Sequence, residues 1–485
     1  MDSTIKALHK NVMEWMAGPT GSIVIHASII LALLFLVDLS IKEKDKEIEV
    51  KVIEIDEQQL DELLEELKPP EELPEVDTMT PPDVEMDLTP PPEVQDFTAT
   101  PEMDTVTELD IASDAISPIV MKNLAPGNMK NRTGGGRAAS IKAFGGKWGE
   151  YAEAAVLRAL EWLRINQNQD GSWGTHDKEA MAGLGILTFL AHGETTASEK
   201  YGQTVERAIR YLVARQNETG AFCKTDTTAG TYSQAICVYA ISEAYGMTRI
   251  PSLKSVMEKG VQVIINGQQT GGGYDYKFAK AERRDTSLGG WCCQAMKAAY
   301  IAGAENAGLH EAMEKAVGDM KTVQKEDGSF YYSFVGKSHS THSITAVAVL
   351  SMQLLGHGGD AEVRKGLDFL GGADCNWQNP PEWPMYAWYY ISQTKFHQGG
   401  ASWTGWNNQF APQFIRNQNP DGSWNSAGLA LKEGATGREN MHPVYATTLA
   451  ALTLQVYYRF LPTYQPIETK AIDQTSEDDV KIEIL

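Results

Sequence analysis

The sequence predicts an all-α domain of six helix pairs closed into a ring, an α6/α6 toroid, carried behind one membrane-spanning helix and a disordered, acidic, proline-rich linker. Three observations predict it. A Gln-to-Trp turn recurs at a period near 50 residues. Each turn is followed by an apolar helix rich in small residues. Near the N-terminus a 23-residue apolar stretch precedes about 100 residues whose composition cannot build a core.

The repeats carry the fold. The first unit reads AAVLRALEWLRINQNQDGSW over residues 154–173, with Trp162, Gln167 and Trp173 as its landmarks. The pattern returns with Gln216 and Phe222, with Gln268 and Tyr274, with Gln324 and Phe330, and with Gln418 and Trp424. A degenerate copy keeps Phe369, Leu370 and Trp377 but has Ala373 where Gln is expected. The Gln-to-Gln spacings are 49, 52 and 56 residues, then 94 across the degenerate copy, which makes six units. Within a unit, apolar residues such as Val156, Leu157, Leu160 and Leu163 recur at helical spacing. The Asp-Gly-Ser segment ends that helix, Trp or Phe covers the turn, and Gln is expected to bond free helix-end groups. The second helices are expected over Ala180–Ala191, Tyr232–Tyr245, Ser287–Ala302, Ser343–Leu355, Met385–Ser392 and Val444–Tyr458. Two helices cannot hide their apolar faces alone, so the units must stack, and six pairs close into a ring with one helix of each pair inside.

This Gln-to-Trp motif resembles the QW repeat of the squalene–hopene cyclases and the related protein prenyltransferases, over about Ala152 to Tyr464. The resemblance implies a toroid with a central cavity. Phrases such as Tyr386-Ala-Trp-Tyr-Tyr390, Trp406-Asn407 and Val456-Tyr-Tyr-Arg-Phe-Leu-Pro462 are similar to bacterial repeat proteins of that superfamily without an established reaction. The chemistry of the named families does not carry over. The cyclases protonate an alkene from an Asp-x-Asp-Asp motif, and the only adjacent aspartates here, Asp478 and Asp479, lie in the tail. The prenyltransferases hold zinc with Asp, Cys and His. His442 resembles that His, but Trp383-Pro384-Met385 replaces the expected Asp-x-Cys, so no metal and no cofactor is expected.

The residues left as catalytic candidates open the inner helices: Asp285, His339, His342 and His442. In a toroid these helix starts converge on one rim. His339 and His342, three apart, are candidates for a shared helix face, as acid and base or as metal ligands. Asp285, with Thr286 and Ser340, equally reads as an ordinary N-cap. Trp383, Tyr386, Trp388 and Trp403 are the candidate ligand-binding aromatics of an apolar cavity, or core.

The N-terminal third reads differently. Residues 15–37 contain one ionisable group, His26, and suit a helix across about 30 Å of hydrocarbon. A cleaved signal peptide is the competing reading, but Asp38-Leu39-Ser40-Ile41-Lys42 offers no small-x-small site. With Lys6 and Lys10 ahead of it, residues 1–14 are expected on the cytoplasmic side. An ionisable group in a span calls for a function, and Ser22, four residues before His26, lies on the same helix face. Ser22-Ile-Val-Ile-His26, followed by a β-like run (Ile48–Ile55) and a proline-rich stretch, resembles the N-terminal segment of TonB-type energy transducers. That resemblance implies a bacterial inner-membrane anchor with the toroid in the periplasm. It also implies that Ser22 and His26 contact ExbB–ExbD-like proton-channel subunits. No TonB-type C-terminal domain follows.

The linker is expected over residues 38–146, with a short amphipathic helix at 57–67 and a flexible Gly-rich lead-in at 128–146; the toroid follows over 147–464 and a disordered tail over 465–485. Nine prolines fall between 69 and 101, which favours extended polyproline II. Residues 41–118 hold 25 Asp and Glu against 5 Lys, so nearly all of the net charge of −22 sits there. The rest of the chain is close to neutral and has no basic stripe, which argues against nucleic-acid binding. Five cysteines show no zinc-type spacing and read as buried small residues. Together these features predict a membrane-tethered periplasmic toroid that binds an apolar or protein ligand. An enzyme on an isoprenoid or lipid is the alternative, and a stacking envelope element ranks third.

Overall fold

The computed structural model describes residues 131–333, 339–428 and 443–459. Thirteen α-helices and no β-strand occur among the described residues. The helix expected over 15–37, with Ser22 and His26, lies outside them, as do the linker up to residue 130, the tail and His442. No helix among the described residues is long and apolar enough to cross a membrane.

After a lead-in helix α1 (Gly134–Phe144) the helices come in pairs. The first helices are α2 (Gly149–Ile165), α4 (Gly202–Arg215), α6 (Pro251–Gly267), α8 (Leu309–Thr322), α10 (Ala361–Phe369) and α12 (Gly400–Arg416). Each is amphipathic: α4 buries Val205, Ala208, Ile209 and Leu212, a stripe at i, i+3, i+4 and i+7. The second helices are α3 (Lys178–Ala191), α5 (Thr228–Thr248), α7 (Thr286–Ala302), α9 (His342–Leu354), α11 (Pro384–Gln398) and α13 (Pro443–Leu454). These are apolar on all sides; every residue from Ala180 to Ala191 of α3 is buried. The second helices therefore form the inner layer. They pack in the order α3, α5, α7, α9, α11, α13, and α13 returns to α3, so the ring is closed.

The Gln-to-Trp turns hold neighbouring repeats together. In each of five turns the Gln side-chain amide donates twice, once within its own turn and once to a backbone carbonyl of the next outer helix. Gln167 donates to Gly171 and Thr204, both at 2.9 Å. Gln216 reaches Val256, Gln268 reaches Ala312 and Gln324 reaches Glu362, at 2.8, 2.8 and 2.7 Å. Gln418 donates to Gly422 at 2.9 Å and to Ala155 of α2 at 2.8 Å, which joins the last outer helix to the first. The Gln was expected to bond free helix-end groups; its second bond reaches the next unit and staples units together. The turn's Gly is needed at the same contact. Gly328 sits at φ +86°, and a Cβ there would lie 2.3 Å from the Lys365 carbonyl on the next helix.

The degenerate unit lacks the staple because Ala373 has no amide. Trp377 takes its place, stacked on Trp388 at 5.4 Å and edge-on to Phe414 of α12 at 5.4 Å.

Helix α1 falls within the Gly-rich stretch expected to be a flexible lead-in. What orders it is polar anchoring at the C-terminal end of the inner helices. Arg132, fully buried, donates to the Leu190 carbonyl at 2.9 Å and pairs with Glu243 at 3.1 Å. Arg137 pairs with Glu153 at 2.8 Å and donates to the His192 carbonyl. All five cysteines are free thiols, four of them buried.

Candidate functional site

The first turns of all six inner helices meet at one end of the ring and surround a cavity of about 1120 Å³. This convergence is a consequence of the repeat: each Gln-to-Trp turn delivers its inner helix from the same side. Helix starts here are capped locally. Thr227, Asp285 and Thr341 accept from the backbone amides of Gly230, Leu288 and Ile344.

The wall is aromatic and hydroxylic. Tyr232 of α5, Tyr386 of α11 and Tyr445 of α13 line it, with Tyr276 from the segment before α7 and Tyr332 from the segment before α9. Trp291 of α7 lies at depth with Ile236 and Ile391. Below that level the axis is filled. Arg459, 2% exposed, donates to Tyr239 of α5 at 2.7 Å and to Tyr389 of α11 at 3.2 Å, and these two helices stand opposite each other in the ring. Gln294 of α7 accepts from Tyr389 at 3.1 Å and donates to Tyr390 at 2.7 Å, while Trp291 stacks on Tyr389. These side chains span the ring axis between α5 and α11.

Asp285 is 1% exposed, and the partners of its carboxylate all donate to it. Leu288 N, Ser287 Oγ and Tyr232 OH lie at 2.9, 2.7 and 3.1 Å from Oδ1, and Arg283 Nη2 lies 3.5 Å from Oδ2. Tyr232 also hydrogen-bonds Ser287, and Tyr276 hydrogen-bonds Tyr332. The Asp285 side chain is thus a helix cap and an acceptor that anchors a tyrosine. Burial, and after it the Asp285 charge, raise the pKa of Tyr232, Tyr276, Tyr332 and Tyr386, so these phenols stay protonated donors at neutral pH. The Tyr386 hydroxyl is buried beside Ser287 without a hydrogen bond of normal geometry.

His339 and His342 both line the cavity but do not share a helix face, because α9 begins only at His342. The exposed His339 ring stacks on Tyr332 at 5.5 Å, whereas His342 packs on Phe369 at 5.0 Å. Burial lowers the pKa of His342, which leaves the imidazole neutral at pH 7. No cluster of three His, Cys, Asp or Glu able to hold a metal occurs among the described residues.

Of the four candidate aromatics, the structure brings two to the cavity. Trp383, 43% exposed, and Tyr386 line it. Trp388 is fully buried in the wall, its Nε1 donating to the Asp374 carbonyl at 3.2 Å. Trp403 lies on the outer helix α12, where its Nε1 donates to the Phe144 carbonyl at 3.0 Å. Sequence reasoning missed Tyr232, Tyr276, Tyr332 and Tyr445. One signal was present: Pro384-Met-Tyr386-Ala and Pro443-Val-Tyr445-Ala repeat the same opening, and both tyrosines face the cavity.

No protein-family model matches the chain, and no curated protein matches it. Solved structures do resemble it. An α-1,6-mannanase, GH76A, of Salegentibacter sp. is 13% identical, with a TM-score of 0.48 over 65% of this chain and 100% of that one. The type II terpene cyclase MstE from Scytonema, solved with geranylgeranyl dihydroxybenzoate, is 13% identical, with a TM-score of 0.43 over 67% of this chain and 99% of that one. A family 76 mannosidase from Bacteroides thetaiotaomicron is 10% identical, with a TM-score of 0.43 over 64% and 98%. These are likenesses of fold at low identity.

Proposed function

We propose that the toroid is a binding module that receives the apolar or aromatic part of a ligand in its cavity and holds it without turnover. The observation that carries this reading is the cavity at the inner-helix starts, with tyrosines and Trp291 as walls and the Arg459 contacts spanning the ring axis. Such a concave aromatic site with a few polar groups is the usual form of a small-ligand pocket. What weighs against an isoprenoid cyclase is that the Asp285 side chain is already occupied as helix cap and hydrogen-bond acceptor.

In this reading the segment over residues 15–37 anchors the toroid at a bacterial inner membrane with the cavity in the periplasm. Ser22 and His26 form the face offered to ExbB–ExbD-like subunits. The proline-rich stretch acts as a spacer; 33 residues at about 3.1 Å each reach roughly 100 Å.

The test is native mass spectrometry of the chain purified from its own host. A non-covalent adduct is expected, and it disappears in Ala229→Trp, which fills the cavity from the first turn of α5. The thermal unfolding of that variant stays close to the parent's. An adduct that survives Ala229→Trp, or a bound molecule recovered as a transformed product, contradicts the reading.

A further inference from the structure

Resting on the reading that the cavity takes a ligand, we propose that the polar end of that ligand is cationic, an amine or a quaternary ammonium. The site is the cavity, and the charges around it decide what enters. Among the described residues that line it, three are carboxylates, Asp177, Asp374 and Glu382, and none is Lys or Arg. That composition is unexpected at this place. Six helix N-termini converge here, and their dipoles alone favour an anion. A site for a phosphate or diphosphate would add Lys or Arg to that field. Here the described wall adds negative charge instead: Asp177 is the N-cap residue of α3, Glu382 lies two residues before α11, and Asp374 and Glu382 are both exposed. Two cations touch the lining without being part of it: Arg283 pairs with Asp275 and Asp285 and lies over the Tyr276 ring at 4.6 Å, and Lys325 donates to Ser340 Oγ at 2.9 Å.

The second observation is the aromatic surface beside those carboxylates. Trp383 directly follows Glu382 and holds its backbone at φ 55°, ψ 58°, a left-handed conformation unusual for so bulky a residue. Its indole is exposed and lines the cavity together with Tyr332, Tyr386 and Tyr445. Ring faces attract a desolvated cation, and carboxylates at the rim add long-range attraction. An anion would meet both with the wrong sign. The Tyr386 hydroxyl, kept protonated at neutral pH, suits an acceptor on the ligand.

The experiment compares three probes of nearly one shape on the full-length chain in lipid nanodiscs: benzyltrimethylammonium, benzyl alcohol and benzylsulfonate. Saturation-transfer NMR titration gives each affinity, with Ala229→Trp as the blocked control. The cation is expected to bind at least about tenfold more tightly than the sulfonate, a gap that narrows when Asp374→Asn and Glu382→Gln are combined. Trp383→Ala is expected to weaken the cation more than the alcohol. Equal binding of the three probes, or preference for the sulfonate, overturns the cationic assignment and leaves the cavity as a binding site. Failure of all three to show Ala229-sensitive binding overturns both readings.

Discussion

Gln418 donates from Nε2 to the backbone carbonyl of Ala155, 263 residues away in sequence and 2.8 Å away in space. The bond lies at the seam, where the last outer helix meets the first. It has four counterparts around the ring, and Arg158 adds a second contact by donating from Nε to Gln418 Oε1 at 2.9 Å.

Gln418→Ala removes the two donations of Nε2 and the Arg158 acceptor. Counting the two Nε2 donations alone, at about 0.5–1.5 kcal/mol per net hydrogen bond, the loss is expected to be at least roughly 1–3 kcal/mol, read as a lower urea midpoint. Gln324→Ala, within the ring, is expected to cost a similar amount. If the seam variant alone were silent, Gln418 would not be holding the ring closed.

Much of this architecture is legible in the sequence because the repeat chemistry is local. A Gln, a Gly and a Trp at fixed offsets announce each turn, and inner helices are recognised by small apolar residues on every side. The partner of each Gln is not legible, since it lies on the next unit. The cavity is legible only as a rim. An inner helix such as α11 is buried all around its axis, so periodicity gives no phase that tells Tyr386, facing in, from Trp388, facing the wall. Trp403 is hidden for a different reason: it packs on the α1 region, through Phe144, in a stretch whose glycines read as flexible.

The degenerate unit predicts its own weak point. Trp377 does by stacking what Gln does elsewhere, so Trp377→Ala is expected to destabilise the fold by about 2–4 kcal/mol. Ala373→Gln offers the missing amide and is expected to recover part of that loss in the double variant. Thermal denaturation of the three variants checks both statements.

His192 bridges two carboxylates, Glu194 at 2.9 Å and Glu153 at 3.0 Å, where the lead-in meets the ring. Burial works against its charge, but the two hydrogen bonds prevail and raise its pKa above 6.5. Burial likewise opposes charge on Glu153 and Glu194, and their bonds to His192 prevail and lower both pKa values below 4.5. The His192 contribution is complete below pH 6.5 and fades as pH rises through its folded value; the carboxylate contributions are complete above 4.5 and fade in acid. The cluster therefore stabilises most between about pH 4.5 and 6.5. His192→Asn is expected to flatten the alkaline decline in a urea midpoint series from pH 6 to 9.

His397 shows the opposite shift. Burial pushes its pKa down from 6.5 to about 4. Its contribution is present above pH 6.5 and is lost as pH falls toward 4. The residue keeps some surface exposure although Nε2 is buried, so the loss is set at about 1–2 kcal/mol. His397→Gln is expected to lose less stability than the parent between pH 7 and 5, measured by the same midpoints.

The anchor is tested apart from the toroid. The full chain is expected in the inner-membrane fraction, and removal of residues 1–37 is expected to release it. Co-purification with ExbB–ExbD-like subunits is expected to weaken in His26→Ala and Ser22→Leu while membrane location is kept. Unchanged association in both variants removes the coupling.

Ring closure is tested most directly across the seam, where Trp162 Nε1 donates to Asp421 Oδ2 at 3.1 Å. Trp162→Cys and Asp421→Cys are combined and treated with a short bis-maleimide, with Trp162→Cys and Asp327→Cys as the control pair. A closed ring of six pairs predicts an intramolecular 162–421 link by peptide mass spectrometry and none for the control. Absence of the 162–421 link, or a link formed only between two chains, contradicts a closed toroid.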